Sequence, residues 1–208
     1  MICNLTSIEK SILTLLEKYR ILHITSRVNL NAEDYLQKEL PYLSEDSIKH
    51  AINNLIMKKL IDDRFRLTPN GRSMIRVGLT GGVFDIIHIG HIRTLWEAKK
   101  YVDLLVVVIA RDSTVIRMKK RPPINNERDR LEVISNLKPV DIAILGDNEN
   151  FMKPVELVKP DYIILGYDQK IPPGLEDKLK NISIIKLGIY CEGYKSSNLR
   201  KKLINATI

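Results

Sequence analysis

The chain of 208 residues contains only two cysteines, Cys3 and Cys191, neither in a CxxC context. Two distant cysteines build neither a disulfide framework nor a zinc cage, and their scarcity suits a reducing, cytoplasmic setting. No apolar run reaches the roughly 18 residues that a membrane span needs. The start, MICNLTSIEKS, lacks the basic residues and apolar stretch of a secretory signal, so none is expected. Aromatic residues make up only 6% of the chain, which leaves few platforms for stacking a flat ligand. Disorder is excluded by an ordinary globular composition, 44% hydrophobic and 28% charged.

What is present is basic charge, a net +8 unevenly spread. Residues 1–75 hold 11 basic and 9 acidic side chains, whereas residues 76–208 hold 22 and 16. A dedicated DNA-binding module concentrates its basic charge. Here the excess lies in the second part, which suits a phosphate-rich small ligand at least as well.

The texture of the sequence changes near residue 75, which predicts two domains, 1–75 and 76–208. In the first, Ile8, Ile12, Leu13, Leu15 and Leu16 lie on an amphipathic helix over 7–19, with Ser7 as its cap. A second helix is expected over 31–40, ended by Pro41. A third starts at Ser44 and carries the stripe Ile48, Ala51, Ile52, Leu55 and Ile56. Leu60-Ile61 and Phe65-Leu67 flank Asp62-Asp63 as a small hairpin, and Pro69-Asn70-Gly71 reads as a further turn. Three helices and a hairpin resemble a winged helix-turn-helix. That resemblance makes DNA a possible partner through the helix from Ser44. It is not favoured, because Glu45 and Asp46 stand at the start of that helix; a packing or assembly role is the alternative.

From Arg76 onward, short apolar runs at 77–79, 104–109, 142–145, 162–165 and 182–187 alternate with helical segments at 92–101, 113–118, 127–137, 151–158, 175–179 and 197–204. That alternation predicts an α/β, Rossmann-like, doubly wound domain with a five-stranded parallel sheet. Its ligand belongs beyond the carboxyl ends of the strands. The first strand runs into Gly81-Gly82-Val83-Phe84-Asp85-Ile86-Ile87-His88-Ile89-Gly90-His91. Glycines there permit close approach of a ligand to the backbone. His88 and His91 flank Gly90 at the entry to a helix, whose free N–H groups attract phosphate. Zinc is the other ligand for a histidine pair, but His23 and His50, the remaining histidines, belong to the first domain.

The segment GGVFDIIHIGH resembles the Gly-x-Phe-Asp…His-x-Gly-His signature of the nucleotidyltransferase superfamily, in its cytidylyltransferase-like branch. The resemblance runs through residues 76–204. It includes Ala110-Arg111-Asp112 after strand two and the basic loop Lys119-Lys120-Arg121-Pro122-Pro123-Ile124. Arg130 on the next helix, Leu165-Gly166-Tyr167-Asp168-Gln169 after strand four, and Ser196-Ser197 opening the last helix complete it. The resemblance implies transfer of a nucleotidyl group to a phosphate-bearing acceptor with release of pyrophosphate. It implies that His88, His91, Lys119 and Arg130 are catalytic. It also implies a nucleotide site formed by Gly81, Gly82, Val83, Phe84, Asp85, Gly90, Arg121, Gly166, Tyr167, Asp168, Ser196 and Ser197. Mg²⁺ or another divalent cation is expected on the phosphates, with its protein ligands unknown.

Within that superfamily VIARDSTV, KPVDIAILGD and KPDYIILGYDQ resemble the archaeal FAD synthases, which use ATP and FMN. The departures are Val83 for Thr and Ile89 for Pro. The alternative is a cytidylyltransferase using CTP and a small phosphorylated alcohol or sugar, although the Arg-Thr that precedes the serines there is missing. A DNA-binding regulator with a nucleotide-sensing domain is the second alternative. Trp96, Tyr167, Tyr190 and Tyr194 are the stacking candidates of this domain. A homodimer is the expected assembly.

Overall fold

The computed structural model describes residues 4–25 and 27–188. Ser196, Ser197, Tyr190, Tyr194, both cysteines and the helix expected over 197–204 lie outside the described residues. The chain divides into two units, Met1–Arg76 and Val77–Ile208.

The first unit opens with α1 (Ser7–Ile24). Its cap is Thr6 rather than the expected Ser7, because Glu9 stands three residues after Thr6 and completes a capping box. The Thr6 hydroxyl accepts from the Glu9 N–H at 3.1 Å, and the Glu9 carboxylate accepts from the Thr6 N–H at 2.8 Å. Asn31 caps α2 (Ala32–Glu39), and Ser44 caps α3 (Glu45–Met57). The α3 stripe Ile48, Ala51, Ile52 and Leu55 is buried. One antiparallel bridge, Ile61 to Leu67, closes the expected hairpin. The segment expected as a turn at Pro69 is instead α4 (Pro69–Ser73). Thr68 caps it and Pro69 occupies its first turn, a start signal that outweighs the turn composition.

The second unit follows the order β1 (Val77–Gly82), α5 (Ile89–Lys99), β2 (Leu104–Ile109), α6 (Asp112–Lys119), α7 (Glu127–Ser135), β3 (Ile142–Leu145), α8 (Met152–Val158), β4 (Tyr162–Leu165), α9 (Glu176–Leu179) and β5 (Ser183–Lys186). The five strands form one parallel sheet in the order β3-β2-β1-β4-β5, the Rossmann-like α/β architecture. β2, with the sequence LLVVVI, is an interior strand and almost wholly buried, as a β-branched run between two helical layers must be. Leu95, Ala98, Leu105, Val107, Ile109, Ile134 and Ile164 belong to one buried cluster.

Two boundaries differ from the sequence reading. β1 extends through Gly81 and Gly82, which pair with Val108 and Ile109. A Cβ on Gly81 would stand 3.2 Å from the Val108 carbonyl oxygen, so this stretch is strand for want of side chains rather than loop. α5 starts at Ile89 instead of Ile92, which makes His-Ile-Gly-His the helix's own first turn.

Strand order reverses between β1 and β4, the position at which α/β sheets open a crevice. The ladder reflects this. β1 and β2 are in register at six positions, but β1 and β4 only at Gly78–Tyr162 and Leu79–Ile163.

Candidate active site

His88 is the N-cap of α5, in extended conformation, and its side chain makes no capping hydrogen bond. His91 is three residues on. Their imidazoles stack, with ring centroids 3.9 Å apart and planes inclined by 26°. The Phe84 ring lies against His91, at 5.3 Å and 59°. Phe84 has φ of 52°, which turns its ring back onto Gly82; a Cβ on Gly82 would come within 2.9 Å of it. Gly82 and Phe84 therefore form the seat beneath His91. Phe84, expected to line the nucleotide site, is buried and packs against His91.

Burial disfavours a charged imidazole, and it lowers the pKa of His88. His91 is pushed down to about 4, by burial first and then by the charges of His88 and Lys119. Both effects favour neutral rings at pH 7, each offering one N–H donor. His91 Nδ1 is buried with no hydrogen-bond partner among the described residues. The Ile89 and Gly90 N–H groups belong to the first turn of α5, where no preceding turn supplies acceptors. Together these make a compact set of donors for an anion at the end of β1.

Arg130, expected to be catalytic, is bonded to protein groups. It lies on α7, 1% exposed. Its Nε donates to the Asn125 carbonyl at 3.0 Å and its Nη1 to the Val83 carbonyl at 2.5 Å. Its Nη2 donates to the Ala110 carbonyl at 2.8 Å and the Asp112 carboxylate at 2.6 Å. Every nitrogen of the guanidinium is thus used on protein. Arg130 pins together the loops after β1 and β2 and the loop leading into α7. Val83 takes part through its carbonyl oxygen, so its side-chain identity is not what this contact requires.

Asp85 works on the same joint. Its carboxylate accepts from the Ile124 and Asn125 N–H groups at 2.8 and 3.0 Å, and the Asn125 side chain returns a bond to the Asp85 carbonyl at 2.6 Å. Asp112 accepts from Arg130 and from the Glu127 N–H at 3.2 Å, while Glu127 pairs with Arg111 at 2.6 Å. Asp85, Asp112 and Arg130 are therefore positioning groups. Asn125 is part of this joint and was missed in the sequence, because nothing local distinguishes it from the adjacent helix cap Asn126.

Lys119 ends α6, and Lys120 caps it in the left-handed conformation with φ of 55°. Cations there suit the helix C-terminus. Lys119 is exposed, yet its charge reaches His91. Arg121 follows in the loop that Asp85 holds. On the other side of β1, Gly166 follows β4 and is buried, while Tyr167 is half-buried and Asp168 exposed. Gln169 closes the family-like segment after β4. Its side chain bonds both Gly166 and Gly81, at 2.8 and 2.7 Å. Trp96 is 43% exposed on α5, about 12 Å along the axis from His88 at 1.5 Å per residue, and so lies away from the strand ends.

Comparison with known proteins agrees with this geometry. The family model described as cytidylyltransferase-like matches residues 79–202. A protein named FAD synthase from Thermoplasma acidophilum is 49% identical over 136 residues, 63% of this chain and 94% of the relative. Another of that name, from Archaeoglobus profundus, is 45% identical over 139 residues, 64% of this chain and 88% of the relative. The crystal structure described as a lipopolysaccharide core biosynthesis protein from Thermoplasma volcanium superposes with a TM-score of 0.53 at 47% identity, covering 56% of this chain and 99% of that one. With the signature at the end of β1, the stacked histidines on α5 and a match across most of the second unit, this chain belongs to the cytidylyltransferase-like family.

Proposed function

We propose that this protein is an FMN adenylyltransferase, an FAD synthase that transfers AMP from ATP to FMN and releases pyrophosphate. The observation that carries the reading is the stacked His88–His91 pair on the first turn of α5, a donor set suited to a phosphoryl group in transfer. The FAD synthase name of relatives at 45–49% identity supports FMN and ATP as the substrates.

An oxygen of the FMN phosphate attacks the α-phosphorus of ATP. A new P–O bond forms, the bond from the α-phosphorus to the bridging oxygen breaks, and pyrophosphate leaves with the electron pair. No covalent enzyme intermediate is required, so catalysis consists of positioning and charge stabilisation. The neutral imidazoles donate to the transferring group, and the α5 N–H groups hold its oxygens. Lys119 and Arg121 offset the charge of the departing pyrophosphate. Gly81 and Gly82 let nucleotide approach the backbone, and the Gly166–Asp168 turn borders the nucleoside. Ser196 and Ser197 keep their expected phosphate-capping role in this proposal.

A divalent ion fits as a passenger on the triphosphate. Among the described residues no group of three or more His, Cys, Asp or Glu gathers to cage a metal. Mg²⁺ commonly binds through substrate phosphates while keeping its waters. Bound there, the ion supplies countercharge to the phosphate oxygens.

The winged-helix character of residues 1–75, a homodimer and a cytoplasmic workplace belong to the same proposal. No helix among the described residues is long and apolar enough to cross a membrane. DNA binding is disfavoured. Lys18, Arg20, Lys49, Lys58, Arg66 and Arg72, six of the basic residues of the first unit, are already in ion pairs with Glu39, Glu17, Glu45, Glu9, Asp62 and Glu17.

The test supplies ATP or CTP with Mg²⁺, alone, with FMN, or with a small phosphorylated alcohol or sugar, and measures pyrophosphate and FAD. FAD formed from ATP supports the reading. Pyrophosphate released only with CTP and a phosphorylated alcohol or sugar replaces it with the cytidylyltransferase alternative.

A further inference from the structure

Beyond the Leu79–Ile163 pair, β1 and β4 are joined by a side chain rather than by strand pairing. The ladder stops at Leu79–Ile163, although β4 stays paired with β5 through Leu165. Two residues past the last β1–β4 pair, the Gly81 carbonyl receives the Gln169 Nε2–H at 2.7 Å. The same carboxamide accepts the Gly166 N–H through Oε1 at 2.8 Å. The Gln169 backbone N–H donates to the Gly166 carbonyl at 3.1 Å and closes the turn. A single amide therefore fastens the turn bearing Tyr167 and Asp168 to the end of β1, across the crevice where strand order reverses.

This contact is demanding. It needs a donor and an acceptor on one planar group at the reach of a glutamine side chain. Glutamate would set an acceptor against the Gly81 carbonyl. Asparagine is one methylene too short to span the gap.

We propose that Gln169 is a positioning residue that sets the width of the switch-point crevice and thereby the selection of the nucleotide base. Its contacts lie on the β4 side of β1. The histidines, Lys119 and Arg121 belong to the segments after β1 and β2. Loosening Gln169 therefore alters nucleotide recognition and leaves the chemical step in place. The proposal rests on the nucleotidyl-transfer reading above.

The test compares wild type with Gln169→Glu and Gln169→Ala in the full chain, by steady-state kinetics with ATP and CTP and by thermal melting. Both variants are expected to raise KM for ATP about tenfold, the loss of two hydrogen bonds at an open site. They should narrow the ATP-to-CTP ratio of kcat/KM and keep kcat within about threefold. A merely structural glutamine would lower the melting temperature and kcat without moving that ratio. An unchanged ratio in folded variants overturns the proposal, as does a fall in kcat at constant KM. Should Gln169→Glu not fold, Gln169→Met keeps the length without the amide and carries the same expectation. If wild type turns over neither nucleotide, the function reading has failed by itself. The ratio is then taken from ATP and CTP dissociation constants by calorimetry; a shift in the variants supports the strap, and constancy overturns it.

Discussion

His91 has a neighbourhood that makes its chemistry testable apart from turnover. Its ring is held between Phe84 and His88 with its pKa pushed down to about 4, against about 6.5 in an unfolded chain. Above pH 6.5 the ring is neutral in both states and costs nothing. Between pH 6.5 and 4 the unfolded chain takes up a proton that the fold refuses, so stability falls as pH falls. The ligand-free protein should lose on the order of 2 kcal/mol across that window through this group. Denaturant melts at pH 7 and 4.5 should show a smaller acid loss in His91→Gln than in wild type; equal losses contradict the assignment. The same variant should lose ~10²–10³ in kcat while remaining folded, the usual cost of one donor to a transferring group. The histidine pair was legible in the sequence because its members are three residues apart, so local structure alone brings them together. Arg130 was legible through the family resemblance, but its bonding was not. Its three carbonyl partners, at Val83, Ala110 and Asn125, converge through the order of the sheet, which no local pattern states.

At the scale of elements, the account turns on joints between loops. Arg130→Ala would leave Asp112 and the Val83, Ala110 and Asn125 carbonyls without their donor, a loss of at least about 1–3 kcal/mol. Arg130→Lys should recover little of it, since one ammonium cannot reproduce the fork. Urea melts measure both; a destabilisation below 1 kcal/mol in Arg130→Ala would show that the joint is redundant. In the first unit, Gly71 on α4 carries a similar load by having no side chain. A Cβ there would fall 1.9 Å from the Leu60 carbonyl oxygen, which is backbone and cannot swing aside. Gly71→Ala should destabilise this unit by at least about 1–3 kcal/mol, the usual range for overpacking, as read from the loss of its helical circular dichroism. The sequence reading took Pro69-Asn70-Gly71 for a turn because each residue favours one. Thr68 as cap and the tight approach to Leu60 decide for helix.

For the whole molecule, the two units have unequal standing. The relatives named FAD synthase are matched over 88–94% of their own length by 63–64% of this chain. Residues 77–208 alone should therefore form FAD at a rate within about tenfold of the full chain, if the first unit supplies no part of the chemistry. A fragment that is folded and inactive would place part of the site in the first unit. The two units divide after Arg76, where amphipathic helical stripes give way to the continuous apolar runs that a doubly covered sheet requires. The strand order was not legible, and with it the Gln169 strap, because pairing between β1 and β4 joins segments some 80 residues apart.

The most direct test of the central claim is FAD formation from ATP, FMN and Mg²⁺ by wild type and by His91→Ala, followed as FAD and as pyrophosphate in equal amounts. The account predicts stoichiometric FAD and pyrophosphate from wild type and a ~10²–10³-fold slower reaction in the folded variant. Wild type inert toward FMN, or a variant as fast as wild type, would contradict it.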